Sequence, residues 1–241
     1  MPWLLLVTGN SRGLGAALAA QARAAGHVVI GVSRSGGTRG DDVRLDLARP
    51  EAIDDILAPR LRERIAPDVE QYVLVNNAAM LGPVGPRYDA PAVSAHMAVN
   101  LVAPIVLSRV FIETLATVAA VKRIVNLSSG AATRAIPGWS LYGASKAGLD
   151  HFARVLAAEQ ALVERPVQVV NFSPGVIDTG MQAEIRAAAP EDFPQVGHFR
   201  ALHEEGALRS PDQVARKLLA GLASRRVFAG ETLDPASFAD A

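Results

Sequence analysis

An apolar, strand-like run from Trp3 to Thr8 opens directly onto Gly9-Asn10-Ser11-Arg12-Gly13-Leu14-Gly15, and an Ala-rich, helix-favouring segment follows to Ala25. Few arrangements of chain satisfy that order. Gly9 permits a sharp turn, Gly13 lets backbone come close to an anion, and Gly15 lets the new helix pack against the sheet. The helix N-terminus then faces whatever sits over the turn, and its free N–H groups favour negative charge. Strand, glycine turn and helix in this order suit the diphosphate of a dinucleotide, although the spacing is G-x-x-x-G-x-G and not G-x-G-x-x-G. The competing reading is an ordinary glycine turn between strand and helix.

The rest of the chain continues the alternation. Strand patterns occupy Leu4 to Thr8, Val28 to Ser33, Val43 to Leu45, Tyr72 to Asn76, Arg123 to Ser128, Val167 to Ser173 and a short Arg226 to Ala229. Long helices are expected over Leu14 to Ala25, Pro50 to Ile65, Val93 to Ala116, Leu141 to Val163 and Pro211 to Ser224. This predicts an α/β fold: a single-domain, Rossmann-type, doubly wound parallel sheet of about seven strands with helices on both faces, spanning residues 1–241. With 241 residues, half of them apolar, such a domain can bury a sizeable core. Ser35 to Asp42 reads as a Gly-rich polar loop. Ligands of such sheets bind beyond the carboxyl ends of the strands.

Chemistry concentrates between Ser128 and Lys146. An apolar run ends in Ser128-Ser129, a loop with Pro and Gly follows, and Tyr142 and Lys146 stand one helical turn apart. A bare phenol, with pKa about 10, is a poor acid-base group near neutral pH, and a neighbouring cation lowers that value by favouring phenolate. Lys146 is placed to supply the cation. Ser129, at the end of the preceding strand, can bond the same substrate oxygen that Tyr142 protonates. Ser128 reads as a strand-end group satisfying backbone. By itself Tyr-x-x-x-Lys more often marks a half-buried ring beside a solvated amine.

Several classes of function are disfavoured. Lys plus Arg and Asp plus Glu number 24 each, and the charges are scattered, which leaves no electrostatic case for nucleic acid or an acidic membrane surface. Zero cysteines exclude disulfides and thiolate chemistry and agree with a cytoplasmic location. Met1-Pro2-Trp3 leads straight into the first strand without the features of a signal peptide, so no export is expected. The longest apolar stretches, such as Ala98 to Val110, are interrupted by Asn100, Pro104 and Arg109 and are not read as membrane spans. No His/Asp/Glu spacing suggests a metal, and His198 and His203 read as solvated.

Taken together, TGNSRGLG from Thr8, NNAA from Asn76, Asn100 in MAVN, the Ser129/Tyr142/Lys146 set and PGVIDTGM from Pro174 resemble the short-chain dehydrogenase/reductase family from end to end. Within it the second half is similar to benzil reductases and, more distantly, to sepiapterin reductases, through SSGAA, GWSLYGASKAGLD, FSPGVIDTGMQAEIR and EEGALRSPDQVA. Ala79 departs from the glycine usual there. The resemblance implies Tyr142 as general acid, Lys146 lowering its pKa and bonding the nicotinamide ribose, and Ser129 orienting the carbonyl. It also implies that Asn100 holds a water linking Lys146 to solvent, against a competing reading of Asn100 as a backbone-bonding amide. The implied cofactor site is the glycine loop (Gly9, Ser11, Arg12, Gly13, Leu14, Gly15) with Ser33, Arg34, Asp46, Leu47, Asn76, Asn77, Ala78, Tyr142 and Lys146. On its nicotinamide side lie Pro174, Gly175, Val176, Ile177 and Thr179. Asp46 matches an adenine-contacting aspartate, with a helix N-cap as its competing role.

An NAD enzyme places Asp or Glu at the end of the second strand for the ribose 2′-hydroxyl. This chain has Ser33-Arg34 there. Arg34 with Arg12 can clamp a 2′-phosphate without a nearby carboxylate to repel it, so NADP(H) is the expected cofactor. The substrate is expected to be a small-molecule ketone or 1,2-diketone with aromatic groups, meeting Ser129, Trp139, Tyr142 and Met181, with Met80, Leu81 and Ile185 bordering the cleft. Thr179 to Gly206 reads as a helical lid that orders on binding. Three alternatives stand beside this. A pterin reductase would want an acidic anchor near the C-terminus, for which Asp234 or Asp240 could serve. A 3-oxoacyl reductase or a non-catalytic NADPH sensor are the others. A homodimer or homotetramer is expected through the long helices Val93 to Ala116 and Leu141 to Val163.

Overall fold

The computed structural model describes residues 1–36, 41–224 and 226–238. Residues 37–40 of the Gly-rich loop, and Asp240, lie outside the described residues. Strands β1 (Trp3–Thr8), β2 (Val28–Ser33), β3 (Val43–Arg44), β4 (Gln71–Asn76), β5 (Val121–Leu127), β6 (Gln168–Phe172) and β7 (Ala229–Leu233) form one sheet in the order β3-β2-β1-β4-β5-β6-β7. Every neighbouring pair is parallel.

Burial on both faces explains why the strands read as continuous apolar runs. In β1, Leu4 and Leu6 belong to one core and Trp3, Leu5 and Val7 to the other. On the first face lie α2 (Ile53–Arg62), α4 (Ala103–Thr114) and part of α5 (Ser140–Gln160), which bring Leu57, Leu61, Leu107, Phe111 and Leu156 onto the sheet. The second face is covered by α1 (Gly13–Ala24) and α8 (Pro211–Ala223) through Leu14, Leu18, Leu218 and Leu222. A capping box of Ser210 and Gln213 starts α8, with Pro211 at its first turn.

Two expectations are corrected. The seventh strand runs Ala229–Leu233, not Arg226 to Ala229, because Phe228 is spent in the core and the Arg226 carbonyl accepts from Arg123. The helix expected over Val93 to Ala116 is compound: α3 (Ala90–Met97), a π-helical turn at Ala98–Val102, then α4. Together they make a helical run, Ala90–Thr114, that is long and apolar enough by length and composition alone to cross a membrane. Here its Leu107, Val110 and Phe111 pack in the core of the sheet, and Arg109 pairs outside with Asp54 at 2.5 Å. The segment read as a lid carries α6 (Gly180–Arg186) and α7 (Val196–Glu204), whose Ile185, Val196 and Phe199 are buried.

Candidate active site

Strand order reverses between β1 and β4, which opens a crevice beyond their carboxyl ends. Thr8 ties the two strands together there: its hydroxyl accepts from Asn77 N (3.0 Å) and Ala78 N (2.9 Å), and Asn77 Nδ2 donates back to Thr8 O at 2.8 Å. The Asn77 side chain is thus a strut beneath the glycine loop. Asn76 also turns inward, donating to Asn126 Oδ1 at 2.8 Å across the sheet. Gly9 has φ +70°, and a Cβ on Gly15 would lie 2.3 Å from Gly9 O, so neither position accepts a side chain without moving the turn. Among the described residues no side chain caps the first turn of α1 and it carries no acid, so its N–H groups and dipole are left for an anion. Across the crevice Thr179 stands 3.3 Å from where a Cβ of Gly13 would be, which brings the Pro174 to Thr179 segment face to face with the glycine loop. These features fit a dinucleotide.

Beyond β2 and β3 lies a cavity of about 410 Å³ lined by Arg34, Arg44, Leu45, Asp46, Arg49, Ala52 and Ile56. Three arginines therefore surround it. Arg44 and Arg49 were missed from sequence, because only the β2–β3 pairing, Ser33 opposite Arg44, brings them beside Arg34. Arg12 does not join them in this structure: its guanidinium lies 4.0 Å from Glu184 on α6, on the other side of the glycine loop. A carboxylate does stand near the loop, Asp42, but it pairs with Arg23 at 2.7 Å and accepts from Asn10 at 3.1 Å. The Ser33 hydroxyl donates to Gly36 O at 2.9 Å, Asp46 accepts from Ala48 N at 3.0 Å, and Leu47 is buried in the core.

Ser129 ends the loop after β5, its hydroxyl accepting from Ala131 N at 3.2 Å to start a single 3-10 turn. Tyr142 and Lys146 follow one turn apart on α5, 7% and 3% exposed. Ser129 stands close enough to the Tyr142 phenol to pull its pKa down, and Lys146 Nζ lies 5.8 Å from the phenol ring centre while donating to Leu127 O at 2.6 Å. Sequence reasoning expected the lysine to depress the phenol pKa. Instead burial holds it above the usual tyrosine value, with the Ser129 bond opposing, so the hydroxyl keeps its proton at neutral pH. Burial lowers Lys146 to about 8, and Asp150 on the next turn opposes that shift.

Beneath Tyr142 lies a polar cluster that sequence reasoning did not find. His96, fully buried, is 3.0 Å from Ser145 Oγ through Nε2, and Ser145 donates to Tyr142 O at 2.8 Å. Asn100, in the π turn, accepts from Met80 N and donates to Met80 O, both at 2.9 Å, and its Nδ2 lies 3.0 Å from His96 Nε2. An amide nitrogen only donates, so His96 accepts there and is neutral. Burial, then the charge of Lys146, lowers His96 to about 4. The side chain of Asn100 thus bonds the backbone of Met80 at both ends. A histidine one turn before Asn100 was the available signal, but without tertiary contacts it is indistinguishable from surface.

Above the phenol sits a separate apolar cluster of Leu81, Ala131, Trp139, Tyr142, Ile185, Phe193, Val196 and Phe199, with Met181 packed against it. Trp139 meets the Tyr142 ring edge-on at 5.6 Å and stacks on Phe193 at 4.8 Å. Met80, 37% exposed, lies at its rim. Asp234 is already engaged, capping the turn Pro235–Ser237 by accepting from Ser237 N at 2.9 Å.

Comparison with known proteins agrees with this architecture. The short chain dehydrogenase family profile matches residues 4–190. The chain belongs to the short-chain dehydrogenase family. Within the family it is 40% identical over 225 residues to a benzil reductase ((S)-benzoin forming) of Bacillus subtilis, covering 90% of this chain and 91% of that one. It is 32% identical to the sepiapterin reductase of Mus musculus, with 92% of each chain covered. Among solved short-chain dehydrogenase-like structures, the KRED1-Pglu enzyme superposes with TM-score 0.80 at 31% identity, covering 95% of this chain and 99% of that one. The protein is thus an oxidoreductase of a family that binds a nicotinamide cofactor.

Proposed function

We propose that the protein is an NADPH-dependent carbonyl reductase that converts an aromatic ketone or 1,2-diketone to the alcohol or hydroxy ketone. The observation that carries this reading is a buried Tyr142 beside Ser129, with Lys146 one turn below and an aromatic cluster above. When bound, the reduced nicotinamide supplies the hydride. Tyr142 delivers the proton to the carbonyl oxygen, Ser129 donates to the same oxygen, and Lys146 holds positive charge under the phenol as that proton leaves. Asn100 fixes Met80 at the rim of the cleft and, by the family resemblance, supports the proton supply to Lys146. Thr8, Asn76 and Asn77 hold the crevice in shape. Gly9, Ser11, Gly13, Leu14 and Gly15 receive the diphosphate, and Pro174, Gly175, Val176, Ile177 and Thr179 the nicotinamide side.

Arg34, Arg44 and Arg49 around one cavity support a 2′-phosphate, and so NADPH over NADH. The benzil reductase relative and the Trp139, Phe193 and Phe199 rings support an aromatic substrate, with α6 and α7 as its lid. Sepiapterin reductases are also among the relatives, but Asp234 is committed to its cap, which leaves the pterin anchor without support among the described residues. Exposed Val102, Val155 and Val163 on and beside the long helices suit a cytoplasmic homodimer or homotetramer.

The test is oxidation of NADPH, and separately of NADH, by purified protein with benzil, phenylpropanedione, an aryl monoketone, sepiapterin and an acetoacetyl thioester. Turnover of the diketones with NADPH is expected to exceed the others. Faster reduction of sepiapterin or the thioester than of either diketone would replace the substrate assignment.

A further inference from the structure

Gln182 is 2% exposed, yet neither Nε2 nor Oε1 has a hydrogen-bond partner among the described residues. Other buried amides keep at least one bond: Asn100 bonds Met80 at both ends, and Asn76 donates to Asn126 although its own oxygen has no partner, whereas among the described residues Gln182 is the buried amide with both ends unpaired. Burying an amide with both ends unpaired is costly, and it persists where a ligand group completes the bonds. Gln182 lies on α6, three residues before Ile185 and next to Met181, so it shares the helix face that packs against Trp139 and Tyr142. Among the described residues the indole Nε1 of Trp139 is also buried without a partner, as is Nη1 of Arg186 on the same face of α6. Buried indole N–H groups ordinarily find an acceptor. Trp139 meets the Tyr142 ring edge-on at 5.6 Å, so its indole stands beside the phenol.

We infer that Gln182 and Trp139 Nε1 form a subsite for a second oxygen on the substrate, so that the cleft recognises vicinally oxygenated ketones, diketones or hydroxy ketones, rather than simple ketones. This rests on the carbonyl-reductase reading above. Tyr142 and Ser129 hold the oxygen that is reduced. The amide of Gln182 and the indole N–H hold its neighbour, and the aromatic walls hold the arms. Because Gln182 offers both donor and acceptor, it serves a carbonyl or a hydroxyl on that second carbon.

The test compares 1-phenyl-1,2-propanedione with 1-phenyl-1-propanone, which differ by one oxygen, in the full-length protein with NADPH. The readout is the ratio of their kcat/KM values within each variant, which cancels any loss of folded protein. Gln182→Met keeps the volume and removes the amide, and Trp139→Phe removes the indole N–H. The diketone-to-monoketone ratio is expected to fall about tenfold or more in Gln182→Met and by a smaller factor in Trp139→Phe. A ratio within about twofold of the wild type in both variants, the result expected if these groups bond only water, overturns the subsite. A wild-type protein that reduces neither ketone overturns the carbonyl-reductase reading instead.

Discussion

His96 shows how a residue with no direct role in the chemistry can set the conditions for it. Its neutral ring accepts from the amide of Asn100 and lies 3.0 Å from the Ser145 hydroxyl, whose own proton goes to the backbone of Tyr142. Protonation would put a charge in a fully buried site beside Lys146. Its pKa is about 4 when folded against 6.5 when exposed, so the unfolded state binds more protons between those values and stability is lost as pH falls through that window. The loss should reach about 2 kcal/mol near pH 4.5. Urea unfolding of the wild type and His96→Gln at pH 7 and about 4.5 checks this: the variant should lack that part of the pH dependence, and identical slopes would contradict it. Ser129→Ala tests the other contact of the phenol. Losing a donor to the carbonyl oxygen should lower kcat/KM by about a hundredfold with the protein still folded. Ser129, Tyr142 and Lys146 were legible in the sequence because their spacing is local to one strand end and one helix. His96, Ser145 and Gln182 were not, because burial and partners belong to tertiary packing and leave no periodic trace.

At the scale of elements, the two halves of the crevice have different origins. The glycine turn and α1 are written in consecutive residues, and their boundaries in the structure fall within one residue of the expected ones. The arginine-lined cavity instead needs the β2–β3 pairing, so Arg44 and Arg49 joined Arg34 only once the sheet was in view, while Arg12 turned toward Glu184. Replacing Arg34 and Arg44 together with Ala should weaken NADPH binding by about a hundredfold or more and leave NADH binding little changed. Titration of both cofactors by fluorescence checks it, and equal losses would sink the 2′-phosphate assignment. The π turn at Ala98–Val102 was hidden because one added residue in a turn leaves no periodic mark in the sequence, and in the structure it carries Asn100, which bonds Met80. Helices α6 and α7 depend on Phe193, which is fully buried and stacks on Trp139. Phe193→Ala should cost about 3 kcal/mol locally and raise KM for diketones more than it lowers kcat. Hydrogen exchange should show faster exchange confined to α6 and α7, whereas uniform loss of protection would mean that the ring supports the whole fold.

The molecule as a whole is a doubly wound sheet whose reversal between β1 and β4 puts the glycine loop, the arginine cavity and the Ser129, Tyr142 and Lys146 group at the same end of the strands. That end was legible from the alternation of strand and helix patterns, because parallel sheets need it and each candidate motif follows a strand. The far edge was less so: β7 is short, carries a register shift against β6, and starts three residues later than the expected strand. The central claim is that a buried phenol gives its proton to a carbonyl at this end of the sheet. The most direct measurement is Tyr142→Phe, with NADPH binding followed by fluorescence and benzil reduction by loss of NADPH absorbance in the same preparation. The account predicts binding within a few-fold of the wild type and kcat lower by about a thousandfold. Retained binding with turnover within tenfold of the wild type would contradict it.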